Sequence, residues 1–334
     1  MQTIHVASEG SNSAVLQLTE QPLPKLSEPF DILVRVKGIG LNPVDTKVRK
    51  TKGKVLGYDA SGVVEAAGST ALFQPGDEVM YAGSIGRPGS NAQFQLVDSR
   101  IVARKPRDLA WDDAAAIPLV GLTAWEMLEE QFHIVPNADN SDKTLIVVNA
   151  AGGVGTMAVF LASKVFNIKR IIATASRPET IEWVKKFGAT DVINHRQPLA
   201  TQLAAIDAQP SHALICFNTP HYVEQLTSCM RPFGHMGSIV EWDEMLVPLR
   251  DPAFFRALTF SWEFMFAKTM FNYNVESQGK ILTRLSELAE QGVLPSLVTV
   301  RKELSVAALR ECHDLQESGK AFGKIAFTVP EKWI

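Results

Sequence analysis

The sequence predicts an α/β chain in two parts: a mostly antiparallel β region over about the first 110 residues, then a doubly wound parallel sheet. Three observations carry this. Short strand-like segments, IHVA, DILVRVKGIGLN, ASGVVEAAG, DEVMYAG and AQFQLVD, are separated by Pro, Gly, Ser and Asp. From Trp111 onward the apolar residues of WDDAAAIPLVGLTAWEMLEEQF recur at the three-and-four spacing of a helix, so a second architecture is expected to begin there. Between 145 and 262, β-branched runs alternate with helical stretches. Runs that are apolar on both faces belong to a parallel sheet covered on both sides.

The elements of this second part follow in order. LIVVN precedes a helix to about Phe166, RIIATA precedes ETIEWVKKF, DVIN precedes a further helix, and HALICFN precedes YVEQLTSCM, with HMGSIVEW last. The final 60 or so residues return to helices, Gln278 to Gln291 and Val306 to Ser318, and to a strand, KIAFTV. The aromatic stretch from Phe254 to Tyr273 is expected to pack in the core rather than to line a site.

Composition excludes several classes. At 334 residues the chain is long enough for two domains at about 150 residues each, with cores that need no disulfide or metal staple. Thirty-three basic against 36 acidic residues, with no long run of either sign, give no footprint for nucleic acid. Cys216, Cys229 and Cys312 form no CxxC pair, so neither a disulfide framework nor a thiolate zinc cage is expected. The N-terminus MQTIHVASEG lacks a secretory pattern, and the apolar stretch Leu145 to Phe166 is divided by Asn149 and small turn-forming residues. A cytosolic protein with no membrane partner is the expectation.

The run LIVVN leads directly into Ala150-Ala151-Gly152-Gly153-Val154-Gly155 and the helical TMAVFLASKVF. This is the G-x-G-x-x-G pattern with Ala in its first position. It supplies a tight turn, a residue without Cβ where backbone approaches a pyrophosphate, and a glycine that lets helix pack on strand. The helix N-terminus presents free N–H groups to a diphosphate. In this context the pattern predicts that Ala151, Gly152, Gly153, Val154 and Gly155 bind a dinucleotide; the alternative is a plain tight turn.

About twenty residues on, folds that prefer NAD carry a carboxylate for the ribose 2′-OH. This chain has Ala175-Ser176-Arg177. A hydroxyl and a guanidinium suit a 2′-phosphate, which points to NADPH. The alternative is an S-x-x-E capping box of Ser176 and Glu179 with Pro178 in the first turn, leaving Arg177 solvated.

The stretches GLNPVDTKVR (40–49), LGYDASGVVEAAGS (56–69), FQPGDEV (73–79), AAAIPLVGLTAWEML (114–128), NAAGGVG (149–155), FGATDVINH (187–195) and SGKAFGKI (318–325) run in order through nearly the whole chain. Together they resemble the medium-chain dehydrogenase/reductase superfamily, in its zinc-free quinone oxidoreductase (ζ-crystallin-like) branch. The resemblance implies a GroES-like catalytic domain over 1–118, a Rossmann NADPH-binding domain over 119–265 and a return to the catalytic domain over 266–334. It also implies an active cleft between the domains and a homodimer joined edge to edge through the Rossmann sheets.

Where zinc alcohol dehydrogenases of that superfamily have a ligating Cys followed by His, this chain has Asn42-Pro43; where they have Gly-His-Glu, it has Gly57-Tyr58-Asp59. Catalytic zinc takes three Cys, His or carboxylate ligands, so no metal is expected. Without a Lewis acid, reduction of an electron-poor acceptor by NADPH is favoured over alkoxide oxidation. The carbonyl oxygen of such an acceptor gains negative charge, and hydrogen-bond donors aimed at it should matter most.

The resemblance places Asn42, Lys47 and Tyr58 in the catalytic site, with Lys47 where related quinone reductases often have Tyr. The alternatives are an Asx-type turn at Asn42, a solvated Lys47 and core packing for Tyr58. Asp45 is expected to be structural, since a proton donor would need a strongly raised pKa. By resemblance, Thr123, His195, Asn218, Gly237, Ser238 and Lys324 join the cofactor set. A helix-start Thr123, a loop His195 and a strand-start Lys324 are the plain readings. The expected function is metal-independent hydride transfer from NADPH to quinones or to the C=C bond of α,β-unsaturated carbonyl compounds. The alternatives are a zinc-type alcohol dehydrogenase and a non-catalytic, crystallin-like or regulatory NADPH-binding protein.

Overall fold

The structure, a computed structural model, describes residues 1–241 and 252–333. The chain divides into two compact units: residues 1–122 together with 266–334, and residues 123–265. The first boundary lies inside a helix rather than at residue 118.

The first unit begins with a two-stranded antiparallel ribbon, β1 (Gln2–Val6) and β2 (Leu16–Glu20). It continues with β3 (Asp31–Leu41), α1 (Pro43–Lys47), β4 (Ala60–Ala67), β5 (Glu78–Tyr81), β6 (Phe94–Asp98), β7 (Val102–Arg104), α2 (Trp111–Ala115) and α3 (Pro118–Glu126). The helical pattern that starts at Trp111 is thus two helices, because Pro118 lacks an N–H and opens a new helix at its own position. A π-helical turn, Met127–Gln131, follows.

The second unit supplies β8 (Thr144–Val148), α4 (Gly153–Lys164), β9 (Arg170–Thr174), α5 (Pro178–Lys186), β10 (Asp191–Ile193), α6 (Leu199–Ala205), β11 (His212–Ile215), α7 (Thr219–Thr227), β12 (His235–Ser238) and β13 (Thr259–Trp262). Trp242, the end of the run HMGSIVEW, lies outside the described residues. The chain then returns to the first unit with α8 (Ala267–Phe271), α9 (Glu276–Glu290), β14 (Val298–Glu303), α10 (Val306–Glu317) and β15 (Lys324–Thr328).

In the second unit six parallel strands stand in the order β10-β9-β8-β11-β12-β13. This is the doubly wound order, which reverses between β8 and β11 and leaves a crevice at their carboxyl ends. Ile146, Val148, Ile172, Ile215, Leu226 and Met236 fill the core on one side of the sheet. The first unit closes around a seven-stranded sheet with the path β14-β15-β3-β4-β5-β7 and β6 paired to β3. Its core includes Ile4, Ile32, Val34, Ile39, Leu309 and Phe327. Helix α2 belongs to this unit, since Ser61 Oγ donates to the Trp111 carbonyl at 2.5 Å.

The aromatic stretch differs from its expected place in the core. Phe266 is buried, but Phe254, Phe255, Phe271 and Tyr273 are exposed, and Phe264 and Trp262 are about half exposed.

Candidate functional site

The turn after β8 is built from its own sequence. Asn149, not Ala150, takes the left-handed conformation (φ 58°), so the first position of the pattern needs no glycine here. Thr174 at the end of β9 fastens the turn: its Oγ1 accepts from Asn149 N at 2.9 Å and its carbonyl from Ala150 N at 3.3 Å. Gly152 is the N-cap of α4, and its carbonyl accepts from Thr156 N at 2.8 Å. The N–H groups of Gly153, Val154 and Gly155 precede that first intrahelical bond and point out of the helix end.

The two outer glycines have different tasks. A Cβ on Gly155 would lie 2.6 Å from Ala150 Cα, so its absence lets α4 pack on the turn. A Cβ on Gly152 would meet nothing nearer than 3.5 Å. A side chain at Gly152 would therefore make only ordinary contacts with Asn149, so this glycine is not needed for packing within the turn. Ala151 is buried beneath it.

At the carboxyl edge of β9 and β10 the structure gathers Ser176, Arg177 and His195. The alternative reading, a capping box at Ser176, is not formed. Arg177 is the N-cap of α5, its N–H donating to Thr180 Oγ1 at 3.2 Å, and its guanidinium lies 3.1 Å from Glu179. The helix start is shifted by one residue because Pro178 occupies its first position. Ser176 is thus relieved of capping, and its hydroxyl has no partner among the described residues. His195 Nδ1 lies 3.5 Å from Thr174 Oγ1, and burial, with the charges of Arg196 and Arg177, holds its pKa below the ordinary value. Asn218, exposed and left-handed (φ 45°), caps α7 at the end of β11.

Gly237 and Ser238 require correction. A side chain on Gly237 would strike Met127 and Phe132, so this glycine serves packing within the unit. The Ser238 hydroxyl is fully buried. It lies 2.8 Å from Thr219 Oγ1 and 3.2 Å from the Ile215 carbonyl, and accepts from Val240 N at 3.1 Å. These bonds tie strand ends together and occupy the hydroxyl. Thr123 is buried within α3.

In the first unit, the segment between β3 and α1 meets the segment before β4 in a buried polar cluster. Asn42 N donates to Asp45 Oδ2 at 2.9 Å, and Gly57 N donates to Asp45 Oδ1 at 2.8 Å. Asp45 thus pins the cap of α1 to the Gly57 turn, the structural role expected of it. Burial nevertheless raises its pKa to about 7, against the lowering effect of those two N–H groups. Asn42 donates through Nδ2 to Asp59 Oδ2 at 2.8 Å, and its Oδ1 accepts from Lys324 Nζ at 2.6 Å.

Lys324 is the second correction. Its ammonium is buried and donates to Leu41 O at 2.8 Å, Asn42 Oδ1 at 2.6 Å and Asp59 Oδ2 at 2.9 Å. Those three bonds occupy its three hydrogens, so it has none left for a cofactor. The second Asn42 Nδ2 hydrogen points to the Gly40 carbonyl at 3.4 Å, so both amide hydrogens have acceptors within the cluster.

Tyr58 differs. Its ring packs edge-on to Phe266 at 5.5 Å, and its buried hydroxyl has no hydrogen-bond partner among the described residues. Burial first, then the charge of Asp45, raises its pKa, so the phenol stays protonated as a donor. Lys54, 5.9 Å from the Tyr58 ring centroid, has its pKa lowered by burial. Lys47 is exposed at the end of α1 and takes no part in the cluster.

Sequence reasoning missed Asn91. Its side chain is buried with both amide atoms unpaired, and its Oδ1 would lie 2.9 Å from a Cβ on Gly57. The positive φ of Gly57 (103°) is the one local signal of this close approach.

Among the described residues, no group of three or more His, Cys, Asp or Glu side chains is arranged to hold a metal ion. The donors at 42, 58 and 59 are an amide, a phenol and a carboxylate already paired with an ammonium. Zinc does not fit this set. The glycine turn at Gly152 and the N–H groups at the N-terminus of α4 do fit a dinucleotide.

Family models match in two places: the alcohol dehydrogenase GroES-like domain over residues 28–107 and the zinc-binding dehydrogenase over residues 153–261. A zinc-type alcohol dehydrogenase-like protein of Staphylococcus aureus (strain COL) is 38% identical over 312 residues, covering 90% of this chain and 92% of its own. A 2-methylene-furan-3-one reductase of Solanum lycopersicum is 28% identical over 318 residues, covering 91% and 72%. Among solved structures, a putative zinc-dependent alcohol dehydrogenase from Rhizobium etli superposes with a TM-score of 0.92 at 38% identity, covering 98% of each chain. The Escherichia coli quinone oxidoreductase complexed with NADPH shares the fold, with a TM-score of 0.82 at 22% identity over 98% of this chain and all of its own. The chain belongs to the medium-chain dehydrogenase/reductase superfamily, and its side chains at 42, 58 and 59 group it with the zinc-free branch.

Proposed function

We propose that this oxidoreductase uses NADPH, without a metal, to reduce quinones or the C=C bond of α,β-unsaturated carbonyl compounds. The observation that carries the reading is the pair formed by a fitted dinucleotide cradle and a ligand set that does not suit zinc. Support for the acceptor class comes from an enone reductase relative and from a fold shared with a quinone oxidoreductase. Support for NADPH is that Ala175-Ser176-Arg177 stands directly after β9, where folds that prefer NAD carry a carboxylate, with His195 just past the end of β10; the nearby carboxylate, Glu179 in the first turn of α5, is paired with Arg177.

When bound, the reduced nicotinamide supplies the hydride. The N–H groups at the start of α4 bind the diphosphate, and Gly152 gives it room. Arg177 and Ser176 take the 2′-phosphate through charge-assisted bonds. Tyr58, neutral and with an unused O–H, is the donor best suited to the acceptor's carbonyl oxygen as charge builds there. Water delivers the proton that completes reduction. We place the protein in the cytosol as a homodimer; no helix among the described residues is long and apolar enough to cross a membrane.

The test is oxidation of NADPH, with NADH as control, against p-benzoquinone, phenanthrenequinone and an alkenal, on protein of measured zinc content. Turnover by zinc-free protein is the expected result. Activity that appears only with stoichiometric zinc would favour the alcohol dehydrogenase reading. Tight NADPH binding with no turnover on any acceptor would favour a non-catalytic role.

A further inference from the structure

An ammonium buried among acceptors drawn from separate elements is costly unless every hydrogen is used, and here each one is. Lys324 opens β15, Leu41 ends β3, Asn42 caps α1, and Asp59 precedes β4. The second oxygen of Asp59 accepts from Leu119 N, in the first turn of α3, at 2.7 Å. One cation therefore joins the tip of β3, the cap of α1 and the start of α3, although Lys324 and Asp59 are 265 residues apart in sequence. Through Asn42 N and Asp45 the same connections reach the Gly57 turn that carries Tyr58.

We propose that the Lys324 ammonium is a resident cation: it occupies the acceptors a metal would need and holds the Asn42 turn and the first turn of α3 in the geometry that reduction requires. Lys324 is then a positioning residue, and the proposal rests on the reading of the chain as a metal-independent reductase. An arginine cannot replace it, because a planar guanidinium does not match three converging acceptors.

The test uses the full chain loaded with NADPH and compares Lys324→Met, Lys324→Arg and the charge-neutral double variant Asp59→Asn/Lys324→Met, which keeps the measurement possible if the single variant fails to fold. Hydrogen exchange at the Asn42 and Leu119 amides is read beside kcat and KM. The expected result is faster exchange confined to those segments in Lys324→Met and in the double variant. In both, kcat should fall by about tenfold or more with KM for NADPH little changed, and added ethylammonium should partly restore the Lys324→Met variant. Unchanged exchange at both amides in a folded variant, or an unchanged kcat, would overturn the positioning role. So would stoichiometric zinc in the wild-type protein with Asn42 and Asp59 as ligands. If wild-type protein reduces no acceptor, the reductase reading fails by itself, and the exchange data still decide whether Lys324 holds the two turns.

Discussion

Gly152 and Gly155 sit three positions apart in one turn, yet the structure assigns them opposite sensitivities. Gly155→Ala forces a Cβ against Ala150 backbone and should destabilise the protein by about 1–3 kcal/mol. Gly152→Ala meets only ordinary contacts and should leave the melting temperature within error while weakening NADPH binding, because the methyl fills the cradle. Thermal melts with and without NADPH separate the two; equal loss of stability would contradict the division of labour. At Arg177, substitution by Glu places a negative charge beside the 2′-phosphate, so NADPH affinity should fall far more than NADH affinity. Parallel titrations check this, and equal losses would remove Arg177 from the phosphate site. Lys324→Met should be the costliest of these changes, about 3–5 kcal/mol, because it leaves Asp59 buried without its cation.

At the scale of elements, two buried histidines set the acid limit of the fold. Burial, with the neighbouring charges of His235, Lys143 and Arg231, lowers His212 at the start of β11 to about 3; burial, with the charge of Arg49, does the same to His313 in α10. The folded state refuses a proton that the unfolded chain accepts below its ordinary value of 6.5. Each contribution is therefore complete above pH 6.5 and is lost as the pH falls toward 3, by a few kcal/mol in each case. Asp45 acts in the opposite sense. Its carboxyl, raised from 3.8 to about 7, adds stability below pH 3.8 that is lost as the pH rises through 7. Asp59, also raised by burial, acts with Asp45, but His195 and His235 are lowered as well, so four histidines stand against two carboxylates and acidification destabilises. The double variant His212→Asn/His313→Asn should show a flatter melting temperature between about pH 4 and 6.5; a slope as steep as wild type would contradict this assignment.

The elements also show what the sequence makes legible. The βα alternation after residue 145 and the turn at Asn149–Gly155 were readable because a buried parallel strand and a phosphate turn each have a local pattern. Whether α5 is capped at Ser176 or at Arg177 is not legible, because Ser176 and Thr180 both offer a capping hydroxyl and only the backbone decides between them. The Lys324–Asp59 pair was not readable at all. A pairing across 265 residues leaves no periodicity, and Lys324 taken alone looks like any strand-start lysine. The inward bonds of the Ser238 hydroxyl and the packing at Gly237 were not legible, because a small residue at a strand's carboxyl end looks the same whether it faces a ligand or a packed neighbour.

For the whole molecule, β13 forms one edge of the six-stranded sheet and carries Trp262, about half exposed, near the exposed Phe254 and Phe255 in sequence. An edge that no other described strand pairs, with exposed aromatics near it in sequence, suits the proposed pairing with a second copy. If the proposed homodimer pairs through this edge, Trp262→Lys should shift it toward monomer in sedimentation equilibrium with little change in melting temperature. A wild-type monomer would contradict the assembly. The proposed chemistry is that the turn after β8 holds NADPH and that hydride passes from it to an electron-poor acceptor with no metal in attendance. The most direct measurement is consumption of NADPH by chelator-treated, zinc-free protein in the presence of a quinone or an enone. Turnover that added zinc does not raise is the predicted result, and turnover that requires zinc would contradict the account.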